Sequence, residues 1–228
     1  MTQKKSWERE YESRKLMTMG EEPQADVLRF LKWLKKSQDF TVIDSQIIDL
    51  GCGTGRNANY LAGLGAKVFG LEIAHNAISE AVRRAKKLVV SVEYYEQSIG
   101  EHWPVEDCSA DLLIDVTSSN SLNEEERQYY LSEASRVLKD AGLMFVRALC
   151  KEGDKNAKQL LKDFPGKEKD TYVLKGVGIT ERVFSKSDFR SLYEEVFDIL
   201  KFEKKTGYQR FNNQSYKRNY WLAYLKKK

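Results

Sequence analysis

The chain has 228 residues, 41% hydrophobic and 32% charged, enough to bury one sizeable core, and it reads as one domain over 1–228. No apolar run approaches the ~20 residues of a membrane-spanning helix, so the sequence excludes a helical membrane protein and reads as soluble and cytoplasmic. The net charge of +4 is uneven, since residues 201–228 hold nine Lys/Arg and one acid; the three scattered cysteines and two histidines suggest neither a disulfide framework nor a metal site.

Residues 1–22 are polar, with Trp7, Tyr11, Leu16, Met17 and Met19 interleaved. Trp7, Tyr11 and Arg14 share one helical face by spacing. Pro23 opens the next helix, whose apolar face is Val27, Leu28, Phe30, Leu31 and Leu34. Ile47 to Leu50 is a short apolar run with β-branched residues, a strand covered on both faces. Gly51, Gly53 and Gly55 follow at alternate positions, where glycine permits a sharp turn and close approach of a ligand to the backbone. A helix then runs from about Gly55 through Leu64, its free N–H groups facing back toward the turn. Lys67 to Leu71 is the second strand, and Glu72 closes it.

Ala74 to Leu88 is a helix with Ile78, Ala81, Val82 and Ala85 inward, and Ser91 to Gln97 is the third strand. Ala110 to Val116 is the fourth. Asn123 with Glu126 forms a capping box that starts a helix running to about Lys139, where Asp140-Ala141-Gly142 ends it. Leu143 to Leu149 is the fifth strand. Lys155 to Phe164 is a short helix, and Asp170 to Phe184 alternates as extra strands would. Ser185 caps a helix through Val196, and Phe197 to Thr206 and Asn219 to Leu225 are two closing strands.

The glycine turn and Glu72 together make a pocket for an adenosine-containing ligand. An acid at the end of the second strand can accept hydrogen bonds from both ribose hydroxyls. The helix start after the turn suits an anionic group, either a pyrophosphate or an amino-acid carboxylate. Two features favour S-adenosylmethionine over a dinucleotide. The spacing is G-x-G-x-G, and Arg56 stands where the dinucleotide fingerprint needs its third glycine. Asp49, two residues before the first glycine, would repel a pyrophosphate but attract the ammonium of a methionine.

On these residues the chain resembles the class I methyltransferases that use S-adenosylmethionine. Asp49-Leu50-Gly51-Cys52-Gly53-Thr54-Gly55 matches that family's first motif without departure, and Glu72 sits where the family places its ribose-binding acid. Gly55-Arg56-Asn57 followed by Tyr60-Leu61-Ala62 is most similar to small-molecule members of the tellurite-resistance and thiopurine types. The resemblance implies an α/β, Rossmann-like, doubly wound sheet of seven strands, mostly parallel with the last antiparallel, and helices on both faces. It implies that Asp49, Gly51, Cys52, Gly53, Gly55, Asn57, Glu72, Ile73, Ser98, Ile99 and Asp115 bind the cofactor, with Ile73 against the adenine. Ser98 replaces the family's usual aspartate. The resemblance also implies that residues 1–22 close over the site as a lid and that 151–184 help build the acceptor pocket.

The sulfonium methyl is already an electrophile, so the protein must chiefly hold the acceptor in line and exclude water. A base is needed only for a protonated acceptor. Asp115 and His102 are the candidates, with His75 next to the adenosine site. Trp7, Tyr11, Tyr172, Tyr208 and Tyr216 are aromatics that could wall an acceptor. The sequence carries no Asn/Asp-Pro-Pro-Tyr/Phe grip for a base nitrogen and no Pro-Cys pair for pyrimidine attack. These features point to a methyltransferase for a small-molecule acceptor. Lys204, Lys205, Arg210, Lys217 and Arg218 keep an RNA or protein acceptor open. A non-catalytic S-adenosylmethionine-binding subunit and a nucleotide oxidoreductase are the further alternatives.

Overall fold

A computed structural model describes residues 3–13, 20–211 and 214–228; Arg14, Leu16, Met17 and Met19 lie outside the described residues. The apolar runs that the sequence marks as strands form the middle of one seven-stranded sheet. Its order is β3-β2-β1-β4-β5-β9-β8, built from β1 (Gln46–Leu50), β2 (Lys67–Glu72), β3 (Glu93–Glu96), β4 (Ala110–Val116), β5 (Leu138–Leu149), β8 (Phe197–Phe211) and β9 (Gln214–Lys227). Neighbouring strands from β3 to β5 pair in parallel, and β9 lies antiparallel between β5 and β8. The expected topology, with one antiparallel strand, is the one observed. A separate ribbon pairs β6 (Thr171–Val173) with β7 (Thr180–Arg182).

Because strand side chains alternate between faces, the sheet splits its apolar residues between two layers. Ile47, Val68, Leu112, Ile114 and Phe145 meet Val27, Phe30 and Leu34 of α2 (Ala25–Ser37) and Ala58 and Leu61 of α3 (Arg56–Gly63). Ile48, Leu50, Leu113, Met144 and Val146 meet Tyr130, Leu131, Ala134 and Val137 of α5 (Glu124–Val137) and Phe189 and Tyr193 of α7 (Lys186–Tyr193). Completing the set are α1 (Gln3–Ser13), α4 (His75–Leu88) and α6 (Lys155–Asp163). No described helix is long and apolar enough to cross a membrane.

Three local expectations shift. On α4 the buried stripe is Ala77, Ala81, Arg84 and Ala85, with Ile78 and Val82 at its half-buried edge. Arg84 is inward because its guanidinium donates to Thr54 Oγ1 at 2.9 Å and steadies the glycine turn. Helix α5 stops at Val137, two residues early, and β5 begins at once. Leu138 pairs with Ala110, and the carbonyls of Arg136 and Val137 are taken by the amides of Cys108 and Ser109. The closing hairpin is longer than its apolar cores: β8 and β9 have 15 and 14 residues.

Candidate functional site

The C-terminal ends of the parallel strands open into one cleft of about 1130 Å³. Its near wall is the turn from β1 to α3. Gly51, Gly53 and Gly55 all have positive φ, at 66°, 56° and 77°. Side chains are excluded there for packing reasons as well. A Cβ on Gly51 would lie 2.3 Å from Ser118 Cβ, and one on Gly55 would lie 2.3 Å from Tyr94 Oη. The turns after β1 and β4 therefore touch, and Ser118 Oγ donates to the Leu50 carbonyl.

Glu72 ends β2 with its carboxylate buried beneath the turn. Oε2 accepts from Gly53 N at 3.1 Å, and Oε1 accepts from Ala74 N at 3.0 Å. Burial pushes this carboxyl above its usual range, and those backbone N–H groups pull it partly back. Asp49 is also buried. Its Oδ2 accepts from Ala58 N at 3.1 Å in the first turn of α3. Burial pushes the Asp49 carboxyl up to about 7, against the Ala58 N–H and the Arg56 charge. One amide at the α3 start is thus used by the protein itself.

Of the residues singled out in the sequence, Asp49, Gly51, Cys52, Gly53, Asn57, Glu72, Ile73, Ser98 and Ile99 all line this cleft. Gly55 stands behind it, between Tyr94 and Ala81. Asn57 is tied to Gln24, accepting from its amide N–H at 3.0 Å. Ser98 Oγ accepts from Gly100 N at 3.1 Å, which shapes the loop after β3.

Asp115 needs correction. It is fully buried off the cleft, and its Oδ1 accepts from Ser118 N at 2.9 Å while Oδ2 accepts from Tyr130 Oη at 2.8 Å. It braces the turn after β4 and does not line the cleft. His102 is corrected too. It is exposed, with Nδ1 3.2 Å from Glu133 Oε2, and does not line the cleft. His75 is likewise outside, paired with Glu96 on the surface at 2.8 Å. Their strand-end positions placed all three near the site, but their side chains point elsewhere.

The cleft is roofed by α1. Gln3 Nε2 donates to the carbonyls of Ser121 and Thr180, at 3.1 and 2.9 Å, and Ser6 Oγ donates to the Gly178 carbonyl at 3.1 Å. On the other side Glu8 accepts from His75 N at 2.7 Å, and Tyr11 Oη lies 3.4 Å from Glu72 Oε2. One short helix thus bridges both walls. Trp7, Tyr11 and Tyr208 line the cleft, whereas Tyr172 is buried behind it and Tyr216 stands apart.

The far wall joins Arg147 and Leu149 of β5, Tyr220 of β9, Gln209 and Arg210 of β8, and Thr180 and Glu181 of β7. Sequence reasoning passed over Arg147, Glu181 and Tyr220. The signal for Arg147 was present: it is the single charge in the apolar run Leu143–Leu149. Glu181 and Tyr220 offered no such signal, because their placement depends on the pairing of distant strands.

Comparison with known proteins agrees with this geometry. A family profile described as a methyltransferase domain matches residues 47–142. An uncharacterized methyltransferase of Schizosaccharomyces pombe is 27% identical over 112 residues, covering 46% of this chain and 72% of the relative. A Methanosarcina mazei S-adenosylmethionine-dependent methyltransferase superposes with a TM-score of 0.72 at 23% identity, covering 83% of this chain and 95% of that one. The Burkholderia thailandensis 1,6-didemethyltoxoflavin-N1-methyltransferase, with bound 1,6-didemethyltoxoflavin and S-adenosylhomocysteine, superposes with a TM-score of 0.71 at 13% identity. It covers 98% of this chain and 86% of that one. At such identities the two structures speak for the fold.

Proposed function

We propose that the chain is an S-adenosylmethionine-dependent methyltransferase and that residues 1–228 act as one unit that methylates a small molecule, a reading supported by the methyltransferase-domain match over 47–142. The observation that carries this is the roofed cleft. Its volume of about 1130 Å³ exceeds the ~300–1,000 Å³ typical of a small-ligand site, so it suits a cofactor and a small acceptor together.

The residues present fit S-adenosylmethionine. The glycine turn brings bare backbone to the cleft, with Tyr11 Oη over Gly53, and Glu72 lines the same wall, each of its oxygens accepting one backbone N–H. In this reading Glu72 holds the ribose hydroxyls and Ile73 packs on the adenine, with Ser98 and Ile99 at its edge. Asp49, Gly51, Cys52, Gly53 and Asn57 surround the methionine end, and Gly55 shapes the turn from behind. When bound, the cofactor supplies an activated methyl on a sulfonium. The protein orients an acceptor nucleophile toward that methyl and keeps water out, α1 acting as the lid and segment 151–184 as the acceptor wall. Asp115 and His102 have no part as bases.

A polymer acceptor finds less support. The basic C-terminal residues do not form one open surface. Arg218 is buried on Asp154, Lys205 pairs with Asp26, and Arg210 faces the cleft.

The test is a melting shift with S-adenosylmethionine, S-adenosylhomocysteine and NAD, on wild type and Glu72→Ala. A ligand at a hundredfold excess over its dissociation constant adds about 2.7 kcal/mol of stability. Shifts with the first two, lost in Glu72→Ala, are expected. A shift with NAD alone would overturn the assignment of the cleft. Retention of RNA or protein at low salt, lost on neutralising Lys204 and Lys217, would favour a polymer instead.

A further inference from the structure

We propose that the acceptor carries an oxyanion, a carboxylate or a phosphate, and that Arg147 grips it at the far wall of the cleft. This deepens the small-molecule reading above and rests on it.

Arg147 is an arginine held ready with little to hold. It stands near the end of β5, in the middle of an apolar strand, with its side chain 16% exposed. Its guanidinium lies over the Tyr220 ring, 3.8 Å from the centroid. The face of the fork is therefore covered and its N–H edge is left to bond. Gly207 keeps the opposite strand thin: a Cβ there would meet Tyr220 Cε2 at 3.2 Å and Arg147 Nη2 at 4.0 Å. Among the described residues no hydrogen bond reaches the Arg147 side chain, and its one ion pair runs from the buried Nε to Asp26 Oδ2 at 3.6 Å.

Asp26 cannot neutralise this corner. The same carboxylate also pairs with Lys205 and, at 3.9 Å, with Arg29. Arg29 shares a second carboxylate, Glu203, with Lys201, so two carboxylates here serve four cations. The acid on this wall, Glu181, is tied to Tyr172 Oη at 2.7 Å. A planar, always-charged fork stacked on an aromatic ring suits two parallel bonds to an oxyanion.

Position separates this anion from the cofactor's own carboxylate. Arg147 lies on β5, two strands from β1, which is about 10 Å at the usual strand spacing. Arg56, at the first position of α3, stands beside the glycine turn, where the methionine end is expected. Arg147 is instead grouped with Leu149, Tyr220 and Thr180 on the wall opposite.

The experiment uses protein saturated with S-adenosylhomocysteine. Wild type, Arg147→Met and Arg147→Lys are melted with aromatic and aliphatic monocarboxylates, their matching carboxamides, and phosphate monoesters. An acid or monoester should raise the melting temperature saturably where its uncharged analogue does not. Arg147→Met should weaken that ligand at least tenfold while S-adenosylhomocysteine affinity stays within threefold. Arg147→Lys, which keeps the charge but loses the fork, should weaken it less than Arg147→Met does and serves if the Met variant does not fold. The proposal is overturned if no anion outperforms its neutral analogue, or if the anion binds Arg147→Met unchanged. It is also overturned if S-adenosylhomocysteine itself weakens tenfold in either variant, which would hand Arg147 to the cofactor. If S-adenosylhomocysteine fails to stabilise even the wild type, the cofactor assignment of the cleft fails first and the acceptor site falls with it.

Discussion

Replacing Asp49 by asparagine isolates the most strongly perturbed acid in the cleft. The Asp49 carboxyl is 2% exposed, and burial pushes it up to about 7 from an ordinary 3.8. Between these values the folded protein keeps a proton that the unfolded chain has released. Unfolding free energy must then fall as pH rises from about 4 to about 7, and level off above. At about 1.36 kcal/mol per pH unit the full effect is about 4 kcal/mol, an upper bound because water entry and relaxation reduce it. In Asp49→Asn the side-chain carbonyl can still accept from Ala58 N, and nothing titrates. The assay is urea unfolding of both proteins without ligand at pH 5, 6, 7 and 8. The stability of Asp49→Asn relative to wild type should rise by up to about 3 kcal/mol from pH 5 to 7 and flatten by pH 8. Glu181, also raised by burial and not coupled to Asp49, contributes equally to both proteins and cancels in the difference. A difference that is flat with pH would refute the argument, since Asp49 would then ionise at its unfolded value. With S-adenosylmethionine present the sign reverses: an ammonium beside Asp49 favours the carboxylate, so wild type should bind the cofactor more tightly at pH 8 than at pH 6, and Asp49→Asn should lose that dependence.

Three further substitutions test the framework. Gly55→Ala forces a side chain into a φ of 77° and brings its Cβ to 2.3 Å from Tyr94 Oη and 2.9 Å from Ala81 Cβ; a loss of about 3 kcal/mol is expected in denaturant unfolding, from backbone strain plus overpacking. Arg218→Met strands Asp154, whose Oδ2 lies 3.0 Å from Arg218 Nε in a fully buried pair, and should cost about 3–5 kcal/mol by the same measurement. Ser185→Ala removes the α7 cap, where Oγ accepts from Asp188 N at 3.0 Å; about 1 kcal/mol of stability should be lost, with S-adenosylhomocysteine affinity unchanged in calorimetric titration.

The glycine-turn side of the cleft, proposed above to hold the cofactor, was legible because its chemistry is local. Strand, turn, helix and closing acid are contiguous from Ile47 to Glu72, and each is specified by residues within a few positions of itself. The capping box of Asn123 and Glu126 is similarly local, and it forms as read, with Asn123 Oδ1 accepting from Glu126 N at 2.9 Å. Errors began where a tertiary partner decided the outcome. Leu138 has the pattern of an inward helix residue, yet pairing with Ala110 draws it into β5. Asp115 sits at the expected strand end, but Ser118 and Tyr130 turn its carboxylate inward. The ends of β8 and β9 alternate polar residues on both faces, so no apolar period reports them.

The far wall, proposed above to meet the acceptor, is assembled from parts far apart in the chain. Arg147 and Tyr220 lie 73 positions apart, and their stacking exists only because β9 inserts antiparallel next to β5, pairing Leu149 with Tyr220. Gln3 reaches Thr180 across 177 positions to close the roof. Such contacts leave no periodic trace. What does remain in sequence is the cost of each unusual residue. A charge in the middle of a buried strand must be compensated, and at Arg147 the compensation inside the protein is incomplete: a stacked ring and a carboxylate shared three ways. A half-buried cation on such terms is the ground for the proposed outside group. Arginine within Leu143–Leu149 was therefore the one acceptor-side clue that a reader of the bare chain could have weighed, and the fold supplies what it lacked, a ring to stack on and a cleft to face.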